Sequence, residues 1–368
     1  MQPSLDKLAM PIAKRASAAL VLTLFVTGCT DMAYLLQSAS GHIKIMQAAR
    51  PVDQWLTDEG TPPALKQRLL LSQEIRRFAV TNLHLPDNAS YHRYAQLQRR
   101  AVVWNVVAAP AYSLTLKTWC FPVTGCVGYR GYFDEQDAQA QANALRAQGL
   151  EASVYGVPAY STLGWTNWLG GDPLLSTFIQ YPRGELARML FHELSHQVLY
   201  VPDDTAFNES FATAVERLGS TAWLAAQADG AARSEYAAFD ARRQAFRALT
   251  GNTRRKLLAL YAADADLPQD EQKSHKAAAY AEFTQSYALL KQQWGGYSGY
   301  DLWVSNANNA AFGALAAYDD WVGAFEALFR HEHGEWTAFY TSAKRLAELP
   351  RGDRTARLQQ LKDLAVGH

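Results

Sequence analysis

Residues 186–200 read LARMLFHELSHQVLY, and the reading of the whole chain turns on them. The stretch holds no Gly or Pro, and its apolar residues recur at helical spacing, which predicts one amphipathic helix. Positions i and i+4 of a helix share a face, so the imidazoles of His192 and His196 can bind one metal ion. Glu193 sits about 100° round the helix from His192, beside the coordination position left open and not in it. There its carboxylate can take a proton from water that the ion has made acidic. An H-E-x-x-H sequence in this setting is the arrangement of a zinc hydrolase, with Zn2+ as the cofactor.

Zinc in such an enzyme needs a third protein ligand and a vacant fourth position. The metzincin pattern would put Gly at 199 and His at 202, where this chain has Leu199 and Pro202. Pro202-Asp203-Asp204 instead predicts a turn, and Asn208-Glu209-Ser210-Phe211-Ala212 lies on the next helix. Glu209 follows His196 after 12 intervening residues. A helix, a tight turn and an antiparallel helix can return a side chain over the histidine pair within that length. Glu209 is the expected third ligand, with Asp204 as the other candidate. Glu216 reads as an orienter of one histidine or as an ordinary helix residue.

Outward from this centre the two sides of the chain differ. From Arg183 onward the pattern is almost wholly helical, at about 184–200, 204–227, 231–262, 272–294, 308–331 and 335–348, punctuated by Pro202, Gly251, Pro268, Gly295-Gly296 and Pro350. Upstream, Pro62-Pro63 opens a helix to about Leu83, and the β-branched residues of 101–118 predict one or two strands. A helix over 134–149 stops at Gly149, a strand runs from Glu151 to Val157, and Tyr160 to Trp165 is extended. The expected fold is α+β. A small β-containing part, 61–182, packs on a larger mainly helical part, 183–368, that carries the zinc-site helices.

With 368 residues, 49% apolar and 19% charged, the chain can bury a sizeable core, which excludes wholesale disorder. Its 35 basic and 35 acidic residues cancel and no long basic tract is present, so no nucleic-acid partner is expected. The front end reads as an export signal over 1–28. Lys7, Lys14 and Arg15 precede an apolar run, Ala16 to Val26, too short to span a bilayer. The run closes in Val26-Thr27-Gly28-Cys29, which resembles a bacterial lipobox and implies lipidation of Cys29 and cleavage before it. Residues 29–60 are then a lipidated N-terminus and tether. Thr30 after the cysteine favours the outer membrane, with the protein facing the periplasm and the lipid bilayer as a partner. In that oxidising compartment Cys120 and Cys126, separated by a Pro- and Gly-containing turn, can close a small loop as a disulfide.

HELSHQ (192–197) followed by FNESFATAVE (207–216) resembles the gluzincin pattern, H-E-x-x-H and then N-E-x-x-A on the next helix. More narrowly, WCFPVTGCVGYRGYF, AYSTLGW, DPLLSTF, LARMLFHELSHQ, DDTAFNESFATAVERLG and NNAAFGALAAYDDWVGAF together resemble an aminopeptidase family of bacterial lipoproteins, over roughly residues 40–350. The spacer of thermolysin-like relatives is longer than the 12 residues here, which removes an excursion between the two helices. The resemblance implies aminopeptidase specificity. In related peptidases an edge strand upstream of the zinc helix pairs with the substrate backbone, and Tyr160, Ser161 and Thr162 are the candidates for it. A Tyr or His usually stabilises the oxyanion in such enzymes. Tyr318 is the first candidate, with Tyr300 and His275 behind it, and Asn309 on the same predicted helix would line the cleft. His331-Glu332-His333 reads as a solvated helix end. The expected activity is zinc-dependent hydrolysis of a peptide or protein substrate, with Glu193 as general base. A zinc endopeptidase and a non-catalytic envelope scaffold are the alternatives.

Overall fold

The computed structural model describes residues 34–121, 125–162, 170–227 and 229–366, without the side chains of 316–319, 365 and 366. The expected signal peptide and Cys29 lie outside the described residues. Within the stretch read as a tether, residues 34–48 form helix α1, followed by β1 (Arg50–Pro51) and α2 (Val52–Thr57). Ala48–His368 form one compact unit.

Strand β3 (Val103–Pro110) organises the β part. Its β-branched and small residues are buried on both faces except at Pro110. It pairs antiparallel with β6 (Arg130–Tyr132) and, from Val103↔Val157 to Pro110↔Leu150, with β7 (Leu150–Val157). Helix α4 (Glu135–Ala147) covers this sheet with Ala138, Ala142 and Leu145, one apolar stripe at helical spacing. Asp134 caps its first turn, and Gly149 in the left-handed region (φ 82°) ends it. A second sheet runs β1, β2 (Arg93–Ala95), β8 (Leu174–Leu175), and a hairpin pairs β4 (Trp119–Phe121) with β5 (Gly125–Val127). Residues 111–118, expected to continue as strand, do not. Pro110 has no N–H to extend the ladder, and Lys117 N donates back to the Ala108 carbonyl at 2.8 Å.

Helix α3 (Pro63–Thr81) lies between β1 and β2, and among the described residues nine helices follow the last strand. These are α5 (Arg183–Ser195), α6 (Thr205–Ala226), α7 (Gly230–Ala263), α8 (Gln269–Gln293), α9 (Asp301–Ser305), α10 (Asn309–Asp319), α11 (Val322–His331), α12 (Trp336–Glu348) and α13 (Arg351–Val366). The architecture is α+β. The single helix expected over 308–331 is two. Trp321 N donates to the Ser210 hydroxyl at 3.1 Å instead of continuing the helical ladder, and the chain breaks between α10 and α11. The break lets α11 seat Phe325 edge-on against Phe207 and Phe211 of α6, with centroids 5.2 and 5.5 Å away, and Phe339 of α12 stacks on Phe211 from another side.

Helix α10 joins the two parts, packing on β3, on β7 and on α6. Its first residue, Asn309, is fully buried. The side-chain oxygen accepts from the Tyr261 and Tyr280 hydroxyls at 2.7 and 2.9 Å. The amide nitrogen donates to the carbonyls of Pro110 and Ala111 at 3.0 and 2.7 Å. Every hydrogen-bonding position of the amide is used, so Asn309 has none left for a substrate. Its role is a structural pin, a correction to the expected cleft-lining one. Asn309→Ala would strand two carbonyls and two hydroxyls, and urea unfolding should show a loss of about 2–4 kcal/mol.

Candidate metal centre

Helices α5 and α6 form an antiparallel hairpin whose inner faces are apolar. Leu186, Ala187, Leu190, Phe191 and Leu194 meet Phe207, Phe211, Ala212 and Val215, all buried. The helices approach closely at Gly219, where a Cβ would lie 2.7 Å from Leu83 Cδ1 and 3.0 Å from Phe191. Helix α5 is shorter than expected, because helical hydrogen bonding stops at Ser195. His196 is the C-cap yet keeps helical dihedrals (φ −61°, ψ −17°), so the i, i+4 relation to His192 survives.

The connection to α6 is short and heavily pinned. Asn208 clasps Val201 on both sides, accepting from its N–H and donating to its carbonyl, each at 2.8 Å. One oxygen of Asp204 caps α6 through Phe207 N at 3.2 Å. Its other oxygen receives Arg354 of α13 through Nη2 at 2.8 Å and Nε at 2.9 Å. Asp204, the alternative ligand, is thereby committed to capping.

These constraints return Glu209 over the histidines. His192 Nε2 lies 3.2 Å from His196 Nε2 and 3.3 Å from Glu209 Oε2, and His196 Nε2 lies 3.8 Å from that same oxygen. A tetrahedral ion with bonds of about 2.0–2.1 Å holds its donors about 3.3–3.5 Å apart, so the triangle fits a small divalent cation. This is the one His/Cys/Asp/Glu group among the described residues able to hold a metal ion.

Behind the donors runs a buried chain of charge. His192 Nδ1 lies 2.9 Å from Glu216 Oε2, which fixes the tautomer that frees Nε2 for a metal. The other oxygen of Glu216 accepts from Arg188 at 2.8 Å. Arg188 also reaches Glu185 at 3.1 Å, and Arg243 closes on Glu185 from α7 at 2.5 Å. Burial alone would raise the Glu216 carboxyl pKa, yet Arg188 and His192 hold it far below the carboxylate range. For Glu209, burial is likewise outweighed by the two histidines and the pKa is lowered. Burial would lower His192, but hydrogen bonds and charge from Glu209 and Glu216 raise it to about 10. Burial drives His196 the other way, to about 4, and its Nδ1 is buried without a hydrogen-bond partner. A ligating His192 would exchange its Nε2 proton for the ion.

Glu193 is buried and accepts no hydrogen bond from the described residues. Burial raises its carboxyl to about 7, with His192 opposing and the charges of Glu209, Asp172 and Glu216 adding. A carboxyl so poised exchanges a proton easily near neutrality.

The segment 160–162 is tied to this region. Thr162 donates to Asp172 through its backbone N–H at 3.1 Å and its hydroxyl at 2.7 Å, and Ser161 also hydrogen-bonds this carboxylate. Gln197, next to His196, reaches Asp172 at 3.4 Å and Ser90 at 3.1 Å. Tyr160 packs edge-on against Phe133. The Tyr318 side chain and residues 163–169 lie outside the described set. Tyr300 and His275 do not join the centre. Tyr300 stacks on Phe246 at 4.0 Å in another core, and His275 pairs with Asp264 at 2.9 Å. Sequence reasoning missed Tyr155 of β7. It hydrogen-bonds Asn105, and burial raises its phenol to about 12 with the charge of Glu209 adding. The one signal was a tyrosine inside a predicted strand. Cys120 and Cys126 are joined as a disulfide across the β4–β5 hairpin.

The chain belongs to the family described as "Putative aminopeptidase". That family's model matches residues 33–358, which takes in both helices of the candidate metal centre and the sheets before them. No curated protein and no solved structure matches the chain. Membership supports a peptidase-like hydrolase. Glu216→Gln, which weakens the hold on His192, should reduce metal affinity about 10–100-fold in a chelator competition.

Proposed function

We propose that the chain is a zinc-dependent peptide hydrolase, an aminopeptidase of the cell envelope anchored through a lipidated Cys29. The observation that carries this reading is the convergence of His192 Nε2, His196 Nε2 and Glu209 Oε2, with the unengaged carboxyl of Glu193 one residue along. A structural metal site closes all four positions with protein ligands. Three donors beside a free, buried acid suit a hydrolytic site instead. Two imidazoles and one carboxylate are also the donor set that zinc takes in hydrolases of this kind.

His192, His196 and Glu209 would hold the ion, which when bound polarises a carbonyl and makes water acidic enough to attack near neutral pH. Glu216 and Arg188 keep the His192 ring from turning. Glu193 takes a proton from the attacking water as the carbon–oxygen bond forms. It then passes that proton to the amide nitrogen as the carbon–nitrogen bond breaks, so a free amine and a carboxylic acid leave, the acid giving its remaining proton to solvent. The segment 160–162, fixed by Asp172, would run beside the substrate chain. Tyr155, a tyrosine near Glu209, is the described side chain best suited to stabilise the oxyanion.

Purified protein should cleave peptides with a free α-amine, lose activity to a chelator and regain it with zinc. Glu193→Gln should cut turnover by about 10²–10⁴-fold with metal content unchanged. Cleavage of N-blocked peptides as well would redirect the reading to an endopeptidase, and wild-type turnover by Glu193→Gln would end it. Palmitate labelling of cells should mark the wild-type chain and fail with Cys29→Ser.

A further inference from the structure

The turn between the two ligand-bearing helices has a third clamp, distinct from Asn208 and Asp204, and it belongs to the β part. Asp203 is exposed and sits in the left-handed region at φ 64°, a conformation that costs a side-chain-bearing residue energy unless something holds it. Its Oδ1 accepts a hydrogen bond from the backbone N–H of Cys126 in β5. Beside it, Gly125 takes φ 70°, and a Cβ there would stand 2.9 Å from Asp203 N, so the two backbones touch where only glycine fits. Cys126 is the residue that the disulfide ties to Cys120, directly opposite in the β4–β5 register. A hairpin of three-residue strands is marginal on its own, and the covalent bridge keeps its backbone in place against Asp203.

We propose that the Cys120–Cys126 hairpin is a positioning element of the metal centre, acting through Asp203. Asp203 lies six residues before Glu209, and Tyr200 on the same turn feels the charge of both. Asn208 fixes the turn to itself and Arg354 fixes the start of α6 to α13. Asp203 fixes its corner to the sheet side, and with all three in place Glu209 can return to within 3.3 Å of His192. The third ligand is thus set in place only when the disulfide is formed. The inference rests on the reading of His192, His196 and Glu209 as a zinc site, and zinc affinity tests both.

The experiment is competition of the full mature chain against a chromophoric zinc chelator, with circular dichroism confirming that each variant is folded. Replacing both cysteines (C120S with C126S) avoids thiol reductants, which bind zinc themselves. The pair should weaken zinc binding tenfold or more, and Asp203→Gly, with its disulfide intact, should do the same. Combining them should add little further, because they break one connection. Asp203→Asn, which tolerates the left-handed region and keeps the acceptor, should restore near-wild-type affinity. Wild-type affinity in the cysteine pair or in Asp203→Gly overturns the proposal, as do fully additive losses. If the cysteine pair does not fold, Asp203→Gly against Asp203→Asn decides alone. Wild-type protein that takes up no zinc would overturn the metal reading itself.

Discussion

The structure depends on one electrostatic arrangement, a run of ionised side chains buried between α5, α6 and α7 with each charge facing an opposite one. Burying an unpaired carboxylate is costly enough that the group normally neutralises instead. Glu185 answers this with Arg188 and Arg243, and Glu216 with Arg188 and His192. Glu209 differs from both. Its ion-pair partners among the described residues are the two imidazoles alone, at 3.3 and 3.8 Å. The network therefore ends, on the side of the histidines, in a carboxylate that no arginine serves. Its partners must be protonated rings or a cation, and three inward-facing donors favour the cation.

That arrangement needs rigid walls, and the rest of the chain supplies them. Helix α10 fastens the sheet to the helices through Asn309, whose buried amide spans α7, α8 and the end of β3. Helix α13 reaches back through Arg354 to the cap of α6, 150 residues earlier in the chain. Asp172 binds segment 160–162 to the residue that follows His196. None of these groups touches the three donors. Each removes a way for one of the donor-bearing elements to drift, and with donors 3.2 to 3.8 Å apart a shift of about 1 Å would spoil their fit to a single ion.

This division explains what the sequence could reveal. The i, i+4 spacing of His192 and His196 and the short run to Glu209 are local facts, legible because a helix and a turn have fixed dimensions. The helix boundaries were legible where Pro or Gly marks them, as at Pro268 and Gly149. Where tertiary partners decide, local pattern was silent. The break at Trp321 depends on a serine on another helix, and the pairing of Asp204 on an arginine near the C-terminus. Asn309 was misread for the same reason, since a buried asparagine announces that it has partners and not which ones.

The spacing of the two glutamates on α6 carries a last consequence. Glu209 and Glu216 are seven residues apart, two turns on one face, which is about 10 Å along the axis. Both nonetheless reach the same imidazole, Glu209 at Nε2 and Glu216 at Nδ1. The two side chains must therefore lean toward each other, and the His192 ring must cross α6 between them, at the level of Ala212 and Thr213. Both residues there are buried, and one is as small as a side chain can be while keeping a Cβ. A larger residue at 212 would hold the ring away from α6 and part it from one carboxylate or the other. The small residue within the second half of the motif is thus as much a part of the seating of His192 as the acid three positions before it.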